Sequence, residues 1–179
     1  MVKHGEIFII TGWRGAGKTS LCKTVITQAK RLDWDIAGVL SPAVFEHGEK
    51  TGIEIVNLRT GETRLLARST RFTDSPLKTT GWAFDQKNTE WGNEILRDAA
   101  SCDLLIVDEL GPLELERQQG WLMGIHAIDS GNYRIAMVVI RPELLSIAIQ
   151  RWPNSQIVNI SDPNTAKSTA EKLIQGWLD

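Results

Sequence analysis

The chain has 179 residues, which suits one compact domain and is too short for two full ones. Charged residues make up 23% and hydrophobic residues 42%, ordinary values for a globular protein able to bury a real core. A formal net charge of -2 gives no footprint for non-specific nucleic-acid binding, and no apolar window approaches the length of a membrane span.

Glu6 to Thr11 is a short β-rich apolar run and predicts a buried strand. Its Ile7–Ile10 segment lacks the basic start and long apolar stretch of a signal peptide. From Lys18 to Leu32 the period changes, and Leu21, Cys22, Val25, Ile26, Ala29 and Leu32 mark one face of a helix. A second apolar run, Ile36 to Leu40, stops at Ser41-Pro42. Residues 43–84 then alternate in short stretches, Thr51 to Leu58 and Glu62 to Ala67, with turn residues at Glu46-His47-Gly48 and Arg59-Thr60-Gly61. That pattern predicts antiparallel hairpins inserted into another frame, ending at Trp82-Ala83-Phe84.

The frame resumes with a helix over Asn88 to Ala100, Trp91, Ile95, Leu96 and Ala99 inward, and a buried strand over Asp103 to Asp108. Leu113 to Ser130 reads as a helix weakened by Gly120 and Gly124. A strand over Tyr133 to Ile140 precedes Pro142, which suits a first helical turn. A last strand covers Gln156 to Ile160. Asp162-Pro163 then starts a final helix with Ala166, Ala170, Leu173, Ile174 and Trp177 on its packed face. Strands alternating with helices imply an α/β fold, a mostly parallel sheet covered on both faces. Ligands of such sheets lie beyond the carboxyl ends of the strands, here around Thr11, Leu40, Asp108 and Ile140.

One motif sits at that edge. Gly12-Trp13-Arg14-Gly15-Ala16-Gly17-Lys18-Thr19, with Ser20 following, fits G-x-x-x-x-G-K-[ST] between a strand and a helix. This is the context of a phosphate-binding P-loop. The glycines let the backbone wrap the phosphates with its N–H groups inward, and the helix N-terminus adds partial positive charge. Lys18 is expected at the β- and γ-phosphates, and the Thr19 hydroxyl on Mg²⁺. The second half of such a site is an acid pair at a strand tip. Asp108 is placed to serve the Mg²⁺ shell opposite Thr19. Glu109 is placed to orient and deprotonate a water.

The block Asp108-Glu109-Leu110-Gly111-Pro112-Leu113-Glu114-Leu115 resembles the DEIGPMEL signature of THEP1-type nucleoside-triphosphatases. Gly38 to Ser41, Lys50 to Val56 with Leu65 to Arg68, and Gly81 to Asp85 are similar to further segments of that family. The resemblance implies a RecA-like core over 1–179 with the 43–84 insertion, and hydrolysis of ATP, GTP and other triphosphates to diphosphate and phosphate. By position it makes Gly12–Thr19 the phosphate loop, Asp108 the Mg²⁺ residue and Glu109 the base. Trp13 and Arg14 depart from the small or proline residues usual there. Trp13 is a candidate to stack on a base.

Phosphoryl transfer gains from an arginine aimed at the transition state. Arg141, ending the Ala136–Ile140 run, is the candidate in cis, whereas Arg59, Arg64, Arg68 and Arg71 read as a solvated face. Glu114 reads as structural, an acid in a first helical turn. Cys22 and Cys102 lack metal-ligand spacing and read as buried free thiols of a reducing cytoplasm. Two alternatives stay open. One is a nucleotide or nucleoside kinase with the arginine-rich hairpin as its lid. The other is a nucleotide-dependent switch with slow hydrolysis and a protein partner.

Overall fold

The computed structural model describes residues 5–99 and 101–178. β1 (Glu6–Thr11) runs into the glycine loop, which opens α1 (Lys18–Arg31). After β2 (Ile36–Leu40) come four strands in succession: β3 (Ala43–Glu46), β4 (Glu49–Asn57), β5 (Thr63–Ser69) and β6 (Trp82–Phe84). α2 (Gln86–Arg97) leads to β7 (Cys102–Leu110), and the short α3 (Pro112–Leu115) to α4 (Leu122–Ser130). β8 (Tyr133–Ile140), α5 (Leu145–Arg151), β9 (Gln156–Asn159) and α6 (Ala166–Leu178) complete the chain.

All nine strands among the described residues share one sheet, in the order β6-β5-β4-β2-β7-β8-β1-β9, with β3 paired to β4. The strands β2-β7-β8-β1-β9 are parallel neighbours, as the apolar runs of β2, β7, β8 and β1 demand, with β9 a mostly exposed edge. β3 to β6 are antiparallel and join the same sheet where Leu40 of β2 faces Val56 of β4. The inserted hairpins therefore extend the sheet rather than stand apart from it.

Alternation along the strands divides the core in two. Leu105, Val107, Ala136 and Val138 pack under α2, α4 and α5 with Ile95, Leu96, Ile128 and Trp152. Ile10, Ile106, Met137 and Val139 face α1 and α6, against Leu21, Val25, Ala170, Ile174 and Trp177. Phe8 meets Trp177 edge to face at 5.1 Å, and Trp34 stacks on the same indole at 6.2 Å. Six of the seven tryptophans are thus packing residues, buried or half-buried; Trp13, 72% exposed, is the exception. Cys22 and Cys102 are buried free thiols.

Several strand bounds shift by a residue or two, β7 running on past the acid pair to Leu110, and four larger differences from the sequence reading stand out. α1 ends at Arg31, and Leu32 is exposed as the residue that closes the helix. β3, not anticipated as a strand, pairs with β4 across a turn where His47 and Gly48 take positive φ. α2 begins at Gln86, two residues early, because the Asp85 side chain accepts the Asn88 N–H as its cap. Ala100, expected in that helix, lies outside the described residues.

The fourth difference bears on the site. The helix expected over Leu113 to Ser130 is broken into α3 and α4 by a loop over 116–121. Gln118 and Gly120 both take positive φ there, so the chain leaves the helical path despite its helical spacing of apolar residues. Glu114 holds the break. Its buried carboxylate accepts the Gly111 N–H at 2.8 Å and the Trp121 N–H at 2.9 Å. Any Cβ at position 120 would sit 2.1 Å from the Glu114 carboxylate, so glycine is required.

Candidate functional site

The parallel strands end on one side of the sheet, and four of those ends meet. From β1 the chain turns into the glycine loop. Gly12 has φ 155°, and a Cβ there would lie 2.1 Å from the Ile160 carbonyl oxygen, so only glycine permits this close approach. α1 starts from Gly17 with no side-chain cap and no acid in its first turn. Its first N–H groups are left to an external acceptor, and the helix dipole favours an anion there. Lys18 is buried and donates to the carbonyl of Gly12 and, at 3.0 Å, to that of Trp13. Burial lowers its pKa below the usual lysine value, with Glu109 the strongest opposing charge. Ala16 is packed into the core beneath the loop, whereas Trp13, Arg14, Gly15 and Ser20 are exposed on it.

The acid pair arises from a register slip. β7 and β8 stay in step to Val107↔Val138, then resume at Leu110↔Ile140. Asp108 and Glu109 fall in the irregular stretch, a local kink that re-aims side chains. Asp108 is 2% exposed. One of its carboxylate oxygens accepts the Thr19 hydroxyl at 3.0 Å and the Ser41 N–H at 3.2 Å. The Ser41 hydroxyl in turn donates to the Asp108 carbonyl. Burial, reinforced by the neighbouring Glu109 charge, pushes the Asp108 pKa up to about 7, against the pull of Ser41, Thr19 and Lys18. Glu109 is half-buried and pairs with Arg141, whose Nε donates to it at 2.5 Å.

Thr19, Asp108, Glu109, Lys18 and Arg141 are therefore brought together, and the loop residues 12–20 surround them. Arg59 binds Asp35 and the Asp98 carbonyl, Arg64 pairs with Glu62 and lies over Trp91, and Arg71 faces Glu49 at 3.6 Å. Neither they nor Arg68 line the cleft, which removes the arginine lid invoked for a kinase.

Two residues were missed by the sequence reading. Ser41 was read as the stop of β2 and the end of a family-like segment, with no role at the site, although the strand-end rule points to it. Lys50 was read only as the start of a hairpin segment similar to the family's, with no role at the site. Its ammonium lies 4.8 Å from the Trp82 ring centre and close enough to Glu109, Asp108, Arg14 and Arg141 to feel their charges.

The donor set fits a hard divalent cation. Burial and the neighbouring Glu109 push the Asp108 pKa up further than Lys18 pulls it down, so an added cation would be welcome there, and the Thr19 hydroxyl oxygen touches the same carboxylate. Among the described residues no three His, Cys, Asp or Glu side chains form a metal cage. Mg²⁺ is suited to one or two protein oxygens completed by substrate phosphates and water.

Fold and site together define a P-loop NTPase: a parallel sheet, a phosphate loop between β1 and α1, and an acid pair on a strand one removed from β1. The model of the NTPase family matches residues 7–171, and the chain belongs to that family. It is 32% identical over 108 residues to a nucleoside-triphosphatase THEP1 of Methanopyrus kandleri, spanning 60% of this chain and 59% of that protein. With the protein of the same name from Caldivirga maquilingensis it shares 28% over 148 residues, 83% of this chain and 79% of that one. Two solved structures share the fold. A human cancer-related nucleoside triphosphatase aligns with TM-score 0.69 at 20% identity, covering 96% of both chains. THEP1 from Aquifex aeolicus aligns with TM-score 0.68 at 22% identity, covering 96% of this chain and 98% of that one.

Proposed function

We propose that this chain is an Mg²⁺-dependent nucleoside-triphosphatase that converts ATP, GTP and other triphosphates to diphosphate and phosphate. The observation that carries it is the contact between Thr19 of the loop and Asp108 of β7, with Glu109 next in the chain. The names of the relatives agree with it. The loop N–H groups and Lys18 hold the β- and γ-phosphates; Lys18 exchanges its two loop carbonyls for phosphate oxygens. Thr19 and Asp108 would hold Mg²⁺, and when bound that ion would supply positive charge against the phosphates. Glu109, held by Arg141, takes the proton of the attacking water. Arg141 positions that carboxylate first, and its charge lies where a finger acting in cis is needed. Trp13, exposed at the mouth of the loop, is the residue to stack on a base.

The free buried thiols suit a reducing cytoplasm, and among the described residues no helix is long and apolar enough to cross a membrane. The test is phosphate release from a panel of triphosphates with Mg²⁺ and with EDTA. Release is expected only with Mg²⁺, and to drop to background in Lys18→Ala. Undiminished release in that variant contradicts the proposal.

A further inference from the structure

A reaction with water needs little room beside Glu109. A single water requires roughly 10–15 Å³ of such space. Behind Glu109, on the side away from the glycine loop, the cleft opens into a cavity of about 120 Å³. Thr19, Ser41, Lys50, Glu109 and Arg141 line both this cavity and the phosphate cleft, so the two are continuous. The cavity's own walls are of another kind. Ile53 of β4, Leu66 of β5, Phe84 of β6 and Trp121 give it an apolar part with aromatic rings, Thr79, Thr89 and the carboxylates of Asp108 and Glu114 give it a polar part, and Trp82 of β6 borders both spaces.

The far wall is held firmly. Glu114 fixes the backbone at Gly111 and Trp121. Asn93 of α2 ties the same loop from behind, donating to the Gly120 carbonyl at 2.9 Å and accepting the Met123 N–H at 3.0 Å. Such backing is what a pre-organised binding wall requires. Charge is distributed unevenly. The cations Lys50 and Arg141 stand beside Glu109, while the other lining residues include the Asp108 and Glu114 carboxylates and no cation. A guest with a phosphate of its own would find nothing there to neutralise it. A neutral ring would find aromatic faces to pack on.

We propose that this cavity is an acceptor site, and that the chain passes the γ-phosphoryl group to the hydroxyl of a small neutral aromatic alcohol. The proposal rests on the phosphoryl-transfer reading of the P-loop site. The acceptor hydroxyl gives its proton to the Glu109 carboxylate, and its oxygen bonds to the γ-phosphorus. The bond from that phosphorus to the β–γ bridging oxygen breaks, and the nucleoside diphosphate leaves with the electron pair. The products are a phosphate monoester and a diphosphate. Water in the same place gives inorganic phosphate.

The full chain is incubated with γ-labelled ATP and Mg²⁺ and, separately, benzyl alcohol, thymidine and pyridoxine, with thymidine monophosphate as the anionic counterpart. Label is partitioned between inorganic phosphate and organic ester. At least one neutral alcohol is expected to take label at the expense of inorganic phosphate, and thymidine monophosphate is not. Leu66→Trp fills the cavity from its floor, and Thr79→Trp narrows it from its half-exposed rim, so one remains informative should the other not fold. Each is expected to lower the ratio of ester to phosphate at least tenfold. ATP turnover with no ester from any of the three alcohols overturns the acceptor site. So does ester formation whose ratio to phosphate neither variant changes. Absence of any ATP turnover overturns instead the reading of the P-loop site.

Discussion

The two halves of the sheet are built by different rules and contribute different things. The parallel half, β2-β7-β8-β1-β9, brings its chemistry to strand ends, where Lys18, Thr19, Asp108, Glu109 and Arg141 converge. The antiparallel half, β3 to β6, offers strand faces instead: Lys50 over Trp82, and the apolar wall of Ile53, Leu66 and Phe84. In the first half one motif fixes one site. In the second, function depends on which face of a hairpin turns inward. On the proposed reading, phosphate and metal belong to the parallel half, and whatever receives the phosphoryl group belongs to the antiparallel half.

The largest effect that can break this division is expected at Asp108. Asp108→Asn removes a charge worth several kcal/mol to the transition state, so turnover should fall at least about a hundredfold. The same change should stabilise the metal-free protein. The folded pKa of Asp108 is raised, from the usual 3.8 to about 7, so the fold penalises its charged form. That penalty is absent below the unfolded value, grows between about pH 4 and 7 and is full above 7. In EDTA at pH 8 the variant should therefore outlast wild type in thermal or urea unfolding, by up to about 4 kcal/mol. Near pH 4 the advantage should vanish. Added Mg²⁺ should raise the midpoint of wild type more than that of the variant.

A smaller effect is expected from the antiparallel half. Lys50→Ala takes one cation from the γ-phosphate side, and kcat should fall about tenfold, below the loss typical of a fixed oxyanion donor because the side chain is exposed. Lys50→Arg should keep most of the activity. An unchanged kcat in Lys50→Ala would confine the triphosphatase site to the parallel half.

The smallest effect on hydrolysis, and a large one on stability, is expected at Glu114. Glu114→Ala leaves the Gly111 and Trp121 N–H groups without their acceptor, each at a cost of roughly 1–3 kcal/mol. Unfolding by urea should show that loss, while phosphate release measured well below the transition should change less than tenfold. A loss as deep as that of Asp108→Asn would make Glu114 part of the chemistry.

The parallel half was legible in the sequence because each of its signals is local. The glycine loop lies between a strand and a helix, Asp108-Glu109 ends an apolar run, and Arg141 ends the next. What escaped depends on distant partners. Ser41 matters because its N–H and hydroxyl reach Asp108, 67 residues away in the chain. The break between α3 and α4 was hidden because Leu113, Leu115, Leu122 and Ile125 keep a near-helical spacing. A buried carboxylate serving two backbone N–H groups overrides that spacing, and only Gly120 hinted at it. The turn residues of 43–84 announced hairpins, but an alternating pattern does not say which face meets a cleft. Lys50 and the cavity walls became visible only when β4 paired with β2.

The central claim is that Glu109 activates the attacking group on phosphates bound by the glycine loop. Phosphate release and nucleotide affinity of Glu109→Gln, measured side by side with wild type under saturating Mg²⁺-ATP, test it most directly. The account predicts kcat lower by a hundredfold or more with affinity held within a few-fold, since a general base contributes about that much. A variant that binds ATP and still releases phosphate at the wild-type rate would contradict it.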